Sequence, residues 1–186
     1  MSRNLDFSKV KIFTDLESVT DRIKNDVIVL LKEYFETDDK FPYYTNDSGL
    51  IIEDRDTFNK KTVGAKPRIV IVRQDFRWAN LSLNDFAGLS SLDNKTPEYL
   101  DHANGEIICN CMSANGLEAE ILAAKVFMIF RALKQEIREE FDIFHIDSSS
   151  IGAEQRILNE GNQPALRNVP VTLSYMAQVS WYKKFI

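Results

Sequence analysis

The sequence predicts an α+β fold in which a mostly antiparallel sheet is packed by two main helices. Residues 171–181 alternate apolar and polar side chains without interruption, which is typical of an antiparallel strand with one buried face. Residues 15–35 and 117–141 repeat apolar side chains every three or four positions, which is typical of amphipathic helices. The order helix, strands, helix, strands favours α+β over alternating units. We expect a single domain over residues 1–186, with two long loop or hairpin insertions at about 36–66 and 74–104.

Composition narrows the function classes only modestly. The chain has 186 residues, of which 44% are hydrophobic and 27% are charged, as in ordinary globular proteins. The net charge of −5 argues against a nucleic-acid or anionic-membrane binder, whose surface would be basic. The N-terminus has no apolar signal core, and no apolar run approaches the ~20 residues of a membrane span. We therefore expect no membrane partner.

The first helix is predicted over residues 15–35, after a mixed polar and apolar arm. Thr14 is the expected N-cap, and Glu17 follows three residues later, where its carboxylate completes a capping box. The segment 36–66 is rich in turn residues, with short strands predicted at 50–52 and 56–58. Two interpretations of that segment stay open. It folds as a hairpin onto its own sheet, or it extends to a partner chain.

A central strand is predicted at residues 68–73, because β-branched side chains occupy both of its faces. Residues 74–104 follow as a second irregular segment, and Asp101–Gly105 are expected to form the turn into the next strand. That strand, at 106–112, leads through a turn into the long helix at 117–141. Asn115 is the predicted N-cap, with Glu118 in a capping box.

The long helix has two apolar rows on its surface. The first row is Leu122, Val126, Ile129, Leu133, Ile137 and Phe141. The second row is Leu117, Ile121, Ala124, Met128 and Ala132. Two adjacent rows of this kind predict a helix that is covered over more than half of its circumference.

After that helix, residues 142–146 are predicted as a strand that ends at the turn 147–150. Residues 151–158 fit either a strand or a short helix. Residues 171–181 form the closing strand.

No side-chain pattern in the sequence marks an enzyme. Cys109 and Cys111 are two positions apart on a strand, and no second cysteine or histidine pair completes a zinc site, so we expect them to be buried. His102 and His145 have no neighbouring triad or metal-site partner in sequence. Ser148 lies outside any nucleophile-elbow pattern. We expect no catalytic residue, cofactor or metal.

The order of elements resembles a known family. The matching features are the first helix, the strand Pro67–Val72, the strand Gly105–Cys109, the helix start Glu118–Val126, Ile151-Gly152 and the end of the closing strand at Val179-Ser180-Trp181. Together they resemble the tail terminator and tail completion (neck) proteins of tailed bacteriophages. The resemblance covers residues 14–35 and 67–186 and rests on a diffuse pattern of strands and a helix start.

The resemblance implies a non-enzymatic virion protein of the tail or neck, assembled in the host cytoplasm. Such proteins form homohexameric rings on the last ring of the tail tube protein, stop tube growth and dock on the head connector. Genomic DNA passes through the lumen without specific binding, and an acidic total is compatible with that role. Our hypothesis places contacts with neighbouring rings on the two insertions, with Tyr43, Tyr44, Arg77 and Trp78 as anchors.

Two alternatives stay open at this point. One is a different connector ring of the same particle, such as a head completion or stopper protein. The other is an α+β enzyme or ligand-binding domain whose site would be a deep polar pocket containing His102, His145 or Glu118.

Overall fold

A computed structural model describes residues 10–43, 49–57, 66–74, 76–79, 86–89, 97–141, 143, 145–157 and 165–185. This part of the chain holds nine strands and three α-helices. In chain order they are β1 (Val10–Thr14), α1 (Leu16–Glu36), β2 (Ile51–Asp54), a 3-10 turn (Arg55–Thr57), β3 (Arg68–Arg73), β4 (Arg77–Ala79), β5 (Phe86–Leu89), β6 (Pro97–Ser113), α2 (Gly116–Ala132), α3 (Lys134–Glu140), β7 (His145–Ile151), β8 (Gln155–Ile157) and β9 (Leu166–Phe185).

The sheet is built around two long antiparallel strands. β6 pairs with β9 from Glu98 opposite Tyr182 to Ser113 opposite Arg167. The other edge of β6 pairs in turn with β3, β4 and β5, and the other edge of β9 pairs with β8, β7 and β1. These pairs are all antiparallel, whereas β2 runs parallel to β3. The predicted α+β class with a mostly antiparallel sheet is confirmed.

The helices cover one face of the sheet, which we call the helical face. Five side chains of α1 and the inward side chains of β3, β6 and β9 share one buried cluster with α2. From α1 the cluster takes Val19, Ile23, Val27, Leu31 and Phe35, and from these three strands it takes Ile69, Ile71, Ile107, Cys109, Cys111, Val169, Val171, Leu173, Tyr175 and Ala177. Each fully buried aliphatic side chain contributes about 1.5–3 kcal/mol. This cluster is therefore the main source of stability.

Strand β9 confirms the alternation predicted for the closing strand. Val171, Leu173 and Tyr175 are buried, and the intervening Thr172 and Ser174 are half-buried on the opposite face. The strand is longer than the predicted 171–181, because pairing with β1 and β8 extends it at both ends.

The segment 74–104, predicted as a loop or hairpin insertion, contains β4, β5 and the first residues of β6, and the turn predicted at Asp101–Gly105 was wrong. Asp101 and His102 lie inside β6, paired with β9 on one side, and His102 also pairs with β4 on the other. Backbone hydrogen bonds to the neighbouring strands hold this stretch extended despite its turn-forming side chains. Gly105 lies under the Tyr175 ring, where an added Cβ would be 2.7 Å from that ring. Glycine is needed there for close approach and not for a turn.

Helix boundaries also differ from the predictions. Asp15 and not Thr14 occupies the N-cap of α1, because Thr14 is the last residue of β1. The Asp15 side chain makes no capping hydrogen bond. The predicted helix 117–141 is divided at Leu133, which ends α2 and begins α3 with φ −100° and ψ 24°. Ile137 and Phe141 are nevertheless buried as their period predicts. No proline or glycine marks this break in the sequence.

Two further predictions of local structure were wrong, and one open question is answered in part. Residues 147–150, expected to end a strand, lie within β7, which pairs with β9 and shifts register between Ile146 and Ser148. The second short strand expected near 56–58 is a 3-10 turn at Arg55–Thr57. In the described part of 36–66, β2 joins the chain's own sheet next to β3, although as a parallel strand and not as a hairpin.

Candidate interaction surface

The start of α2 is fixed by a polar network at the end of β6. The Asn115 side chain accepts a hydrogen bond from the Leu117 backbone N–H at 3.0 Å, which confirms the predicted N-cap. Glu118 does not complete the capping box. It accepts a hydrogen bond from the Ser113 hydroxyl, whose oxygen in turn accepts from the Asn115 N–H at 3.1 Å. The network sets the rotation of α2 about its axis from its first turn.

With that rotation, α2 buries one side against the sheet. The residues of this inner row are Ala119, Leu122, Ala123, Val126, Ile129 and Phe130. They pack over β6, β7 and β9 and form the centre of the main buried cluster.

The opposite side of α2 is also apolar, but nothing in the described part of the chain covers most of it. We define the outer row as Leu117, Ile121, Ala124, Met128 and Ala132. Leu117 is 64% exposed and Met128 is 58% exposed, whereas Ile121 is half-buried. The prediction that this row is covered is wrong for a single chain. At 1.5 Å per residue, the stretch from Leu117 to Met128 is about 16 Å long.

Charged side chains differ between the two ends of the outer row. Glu118 and Glu120 lie at its N-terminal end, and Glu120 is exposed. Arg131 lies at its C-terminal end and is exposed as well. Lys125, beside the row, donates to the Asp38 carboxylate and is thereby held against the C-terminal end of α1. The row is thus an apolar ridge with an acidic beginning and a basic end.

The face of the sheet away from the helices carries a concave apolar surface, which we call the open-face groove. Val70, Val72, Met112 and Leu166 form a second buried cluster there, with Ile157 packed against it. The groove has a volume of about 430 Å³. Its lining is Arg55, Val70, Val72, Gln74, Ile108, Asn110, Met112, Gln155, Ile157, Asn168 and Pro170. Among the described lining residues, Arg55 is the only charged one, and none carries a carboxylate.

One polar group in the open-face groove is buried without a hydrogen-bond partner. The Asn168 side-chain amide donates to the Asn110 side-chain oxygen at 3.0 Å across β6 and β9. The Asn168 side-chain oxygen is buried and accepts no hydrogen bond from a described residue. Leaving a buried acceptor unpaired costs about 1–3 kcal/mol. A donor from a bound molecule would remove that cost.

A second groove lies between α1 and the end of α3, which we call the interhelical groove. It has a volume of about 410 Å³ and is lined by Asp26, Val29, Leu30, Glu33, Glu140 and Phe141. Burial raises the pKa of the Asp26 carboxyl, with Arg22 opposing the shift and Glu140 adding to it. Val29 is 51% exposed. The sequence contained a signal for this exposure, because the apolar run 27–31 exceeds one helical turn and cannot face the core entirely.

Three of the four residues predicted as interface anchors lie in the described part of the chain, at two separate places. Tyr43 follows α1, where its N–H donates to the Phe35 carbonyl at 3.0 Å and its ring lies 5.6 Å from the Lys32 ammonium. Tyr44 lies outside the described residues. Arg77 is exposed in β4 opposite Asn104, and Trp78 stands opposite Ala103 in the same strand. Their role as anchors stays a prediction.

The residues considered for catalysis do not converge on either groove. Cys109 and Cys111 are fully buried on the helical face, as predicted, and burial raises the pKa of the Cys109 thiol to about 12. His102 lies in β6 and His145 begins β7. Neither histidine lines a groove defined above, and Glu118 lines neither groove. Among the described residues, no group of three or more histidine, cysteine, aspartate or glutamate side chains is placed to hold a metal ion.

Within the described ranges, none of the helices has the length and apolar character needed to cross a bilayer.

Comparison of the chain with protein-family models and with curated proteins finds no match.

Proposed function

We propose that this protein is a structural ring protein of a tailed bacteriophage. It sits at the head-proximal end of the tail tube, stops tube growth and joins the tail to the head connector. Its partners are further copies of itself, the tail tube protein and the connector, and genomic DNA passes through the lumen without specific binding. The proposal starts from the resemblance in element order described above.

The observation that carries the proposal is the outer row of α2. Exposed apolar rows on a soluble protein mark surfaces that bind another protein. The row is continuous over about three turns of a helix that is otherwise anchored in the core. Each subunit of a ring needs such a surface, because it contacts two neighbouring subunits.

The length of β6 and β9 supports the same role. With a rise of about 3.3 Å per residue, a strand such as β9, Leu166–Phe185, spans roughly 65 Å. β6 and β9 extend beyond the part of the sheet that contains β3 and β7. In this extension they pair with β1, β4 and β5. An extension of this kind gives a compact subunit the reach to contact a ring above or below it.

The proposal is tested by the mass and shape of the full chain in solution. Light scattering after size exclusion, with negative-stain images, is expected to show a ring with a central hole and about six times the 21.4 kDa of one chain. Alternatively, the ring forms only on added phage tail tubes and is then seen at one tube end. A preferred twelvefold ring would favour a different neck component. A strict monomer that ignores tubes overturns the proposal.

A further inference from the structure

We propose that the outer row of α2 in one copy inserts into the open-face groove of the next copy. This contact rests on the proposed function, because it joins neighbouring subunits within the ring. It assigns one occupant to the exposed outer row and to the groove, namely a second copy of this chain.

The two surfaces have complementary shapes. The outer row is a ridge of the kind that helix-in-groove recognition uses, with anchors at spacings of three and four residues. The open-face groove lies across β3, β6, β9 and β8, and three strand spacings of 4.7–4.9 Å make it about 14 Å wide. A helix with its side chains is about 10–12 Å in diameter, so one helix fits this width. Met128 is suited to an irregular floor, because its unbranched side chain adapts to its surroundings.

The charges of the two surfaces are complementary at one end. Arg55 is exposed at the groove and forms no ion pair with a described residue. Glu120 is exposed at the acidic end of the row. Placing the acidic end at Arg55 fixes the direction in which α2 lies in the groove. The interhelical groove is a poorer site for this end, because it carries three carboxylates, those of Asp26, Glu33 and Glu140.

The groove also contains a group that lacks its hydrogen bond. The buried Asn168 oxygen has no donor within the described part of one chain. Arg131 is exposed at the basic end of the outer row, so a neighbouring α2 carries a donor of the kind that this oxygen lacks. The exposed Gln74 and Gln155 of the groove lining fit the usual anatomy of an interface, where polar groups surround an apolar centre.

The positions of the two surfaces determine the kind of assembly. The outer row faces away from the sheet on the helical side, and the open-face groove lies on the other side of the sheet. A contact of row to groove therefore joins unlike surfaces. It leaves the groove of the first copy and the row of the second copy free for further neighbours. Such head-to-tail contacts close into rings when the rotation between copies allows it.

Disulfide pairing between variants that each carry one added cysteine tests the contact directly. Ala124→Cys places a thiol in the middle of the outer row, and Gln155→Cys places one at the groove wall. The native Cys109 and Cys111 are fully buried, so they contribute little background. Under mild oxidation, a mixture of A124C and Q155C is expected to yield mixed disulfide dimers at least about tenfold in excess of either variant alone. Val29→Cys replaces Gln155→Cys as the matched control in the interhelical groove.

Each alternative pairing would overturn the contact. Predominant A124C homodimers would mean that two rows meet, and predominant pairing of A124C with V29C would place the row in the interhelical groove. The double variant A124C/Q155C is expected to form a ladder of products beyond the dimer, and a product that stops at the dimer excludes a head-to-tail arrangement. If the wild type forms a ring but A124C and Q155C do not pair, the contact fails while the proposed function stands. A wild type that stays monomeric with tail tubes overturns both.

Charge reversal gives a second measurement that does not depend on oxidation. Arg55→Glu and Glu120→Lys are each expected to raise the concentration needed for ring formation by about tenfold, and the double variant is expected to restore it. Glu33→Lys makes the same change of charge in the interhelical groove and is expected to leave ring formation unchanged. Circular dichroism of each variant checks that the helices are intact. If the defect of the double variant in ring formation equals the sum of the two single defects, Arg55 and Glu120 do not pair.

Discussion

The inner and outer rows of α2 carry side chains of similar hydrophobicity and differ almost completely in exposure. Leu122 and Val126 of the inner row are fully buried, whereas Leu117 and Met128 of the outer row are more than half exposed. Both rows follow the same helical period. The comparison teaches that the period identifies an apolar surface, and that the rest of the fold decides whether the same chain or another molecule covers it.

The largest effect is expected from truncating the inner row. Leu122→Ala leaves a cavity in the main cluster and is expected to lower the free energy of unfolding by about 2–5 kcal/mol. Met128→Ala removes a side chain of similar size from the outer row and is expected to change the free energy of unfolding by less than about 0.5 kcal/mol. Urea unfolding of dilute protein measures both. Equal losses for the two variants would mean that the outer row is already covered within one chain.

An intermediate effect is expected where α2 is tied to the end of α1. The Asp38 carboxylate is nearly buried and accepts hydrogen bonds from Lys125 and from the backbone N–H groups of Phe41 and Lys40. Asp38→Ala is expected to lower the free energy of unfolding at neutral pH by about 1–3 kcal/mol. Asp39→Ala, which removes an exposed carboxylate next to it, is the matched control and is expected to have little effect.

The effect of Asp38→Ala should depend on pH in a defined direction. Burial by itself would raise the pKa of the Asp38 carboxyl, but the hydrogen bonds from Lys125, Phe41 and Lys40 outweigh it, so the pKa lies below the ordinary 3.8. The folded state therefore binds this proton less readily than the unfolded state. The stabilisation is complete above pH 3.8 and is lost as the pH falls through the lowered pKa. Wild type and D38A should accordingly converge in acid, and a constant difference down to pH 2 would contradict the ion pair.

Much of the fold could be predicted, because its main elements have a strong local period. The alternation of β9 and the repeats of α1 and α2 identified these elements. The boundaries of α1 were nearly correct, whereas β9 is longer than the predicted 171–181 and α2 ends at Ala132. The first half of β6 could not be predicted, because Asp101 and His102 are held extended by hydrogen bonds from distant strands. The break at Leu133 also has no local signal, since no proline or glycine is present there.

The candidate site also has one part that could be predicted from the sequence and one part that could not. The outer row was visible in the sequence as a second apolar row, although its exposure was not. The open-face groove was invisible, because Arg55, Val70, Asn110, Gln155 and Asn168 come from five separate elements. Only the pairing of β3, β6, β8 and β9 brings them to one surface. A site assembled by sheet topology leaves no spacing pattern in the chain.

The smallest effect is expected at the cap that fixes where both rows begin. Asn115→Ala removes the acceptor for the Leu117 N–H and is expected to lower the free energy of unfolding by about 1 kcal/mol. Asn115→Asp keeps an acceptor and adds a negative charge at the positive end of α2, so it should retain most of the stability. Urea unfolding separates the two variants. Because the first turn of α2 carries Leu117, fraying there should also weaken ring formation by N115A more than by N115D. A loss that is equal in both variants would show that the side-chain oxygen is not what holds the first turn of the outer row.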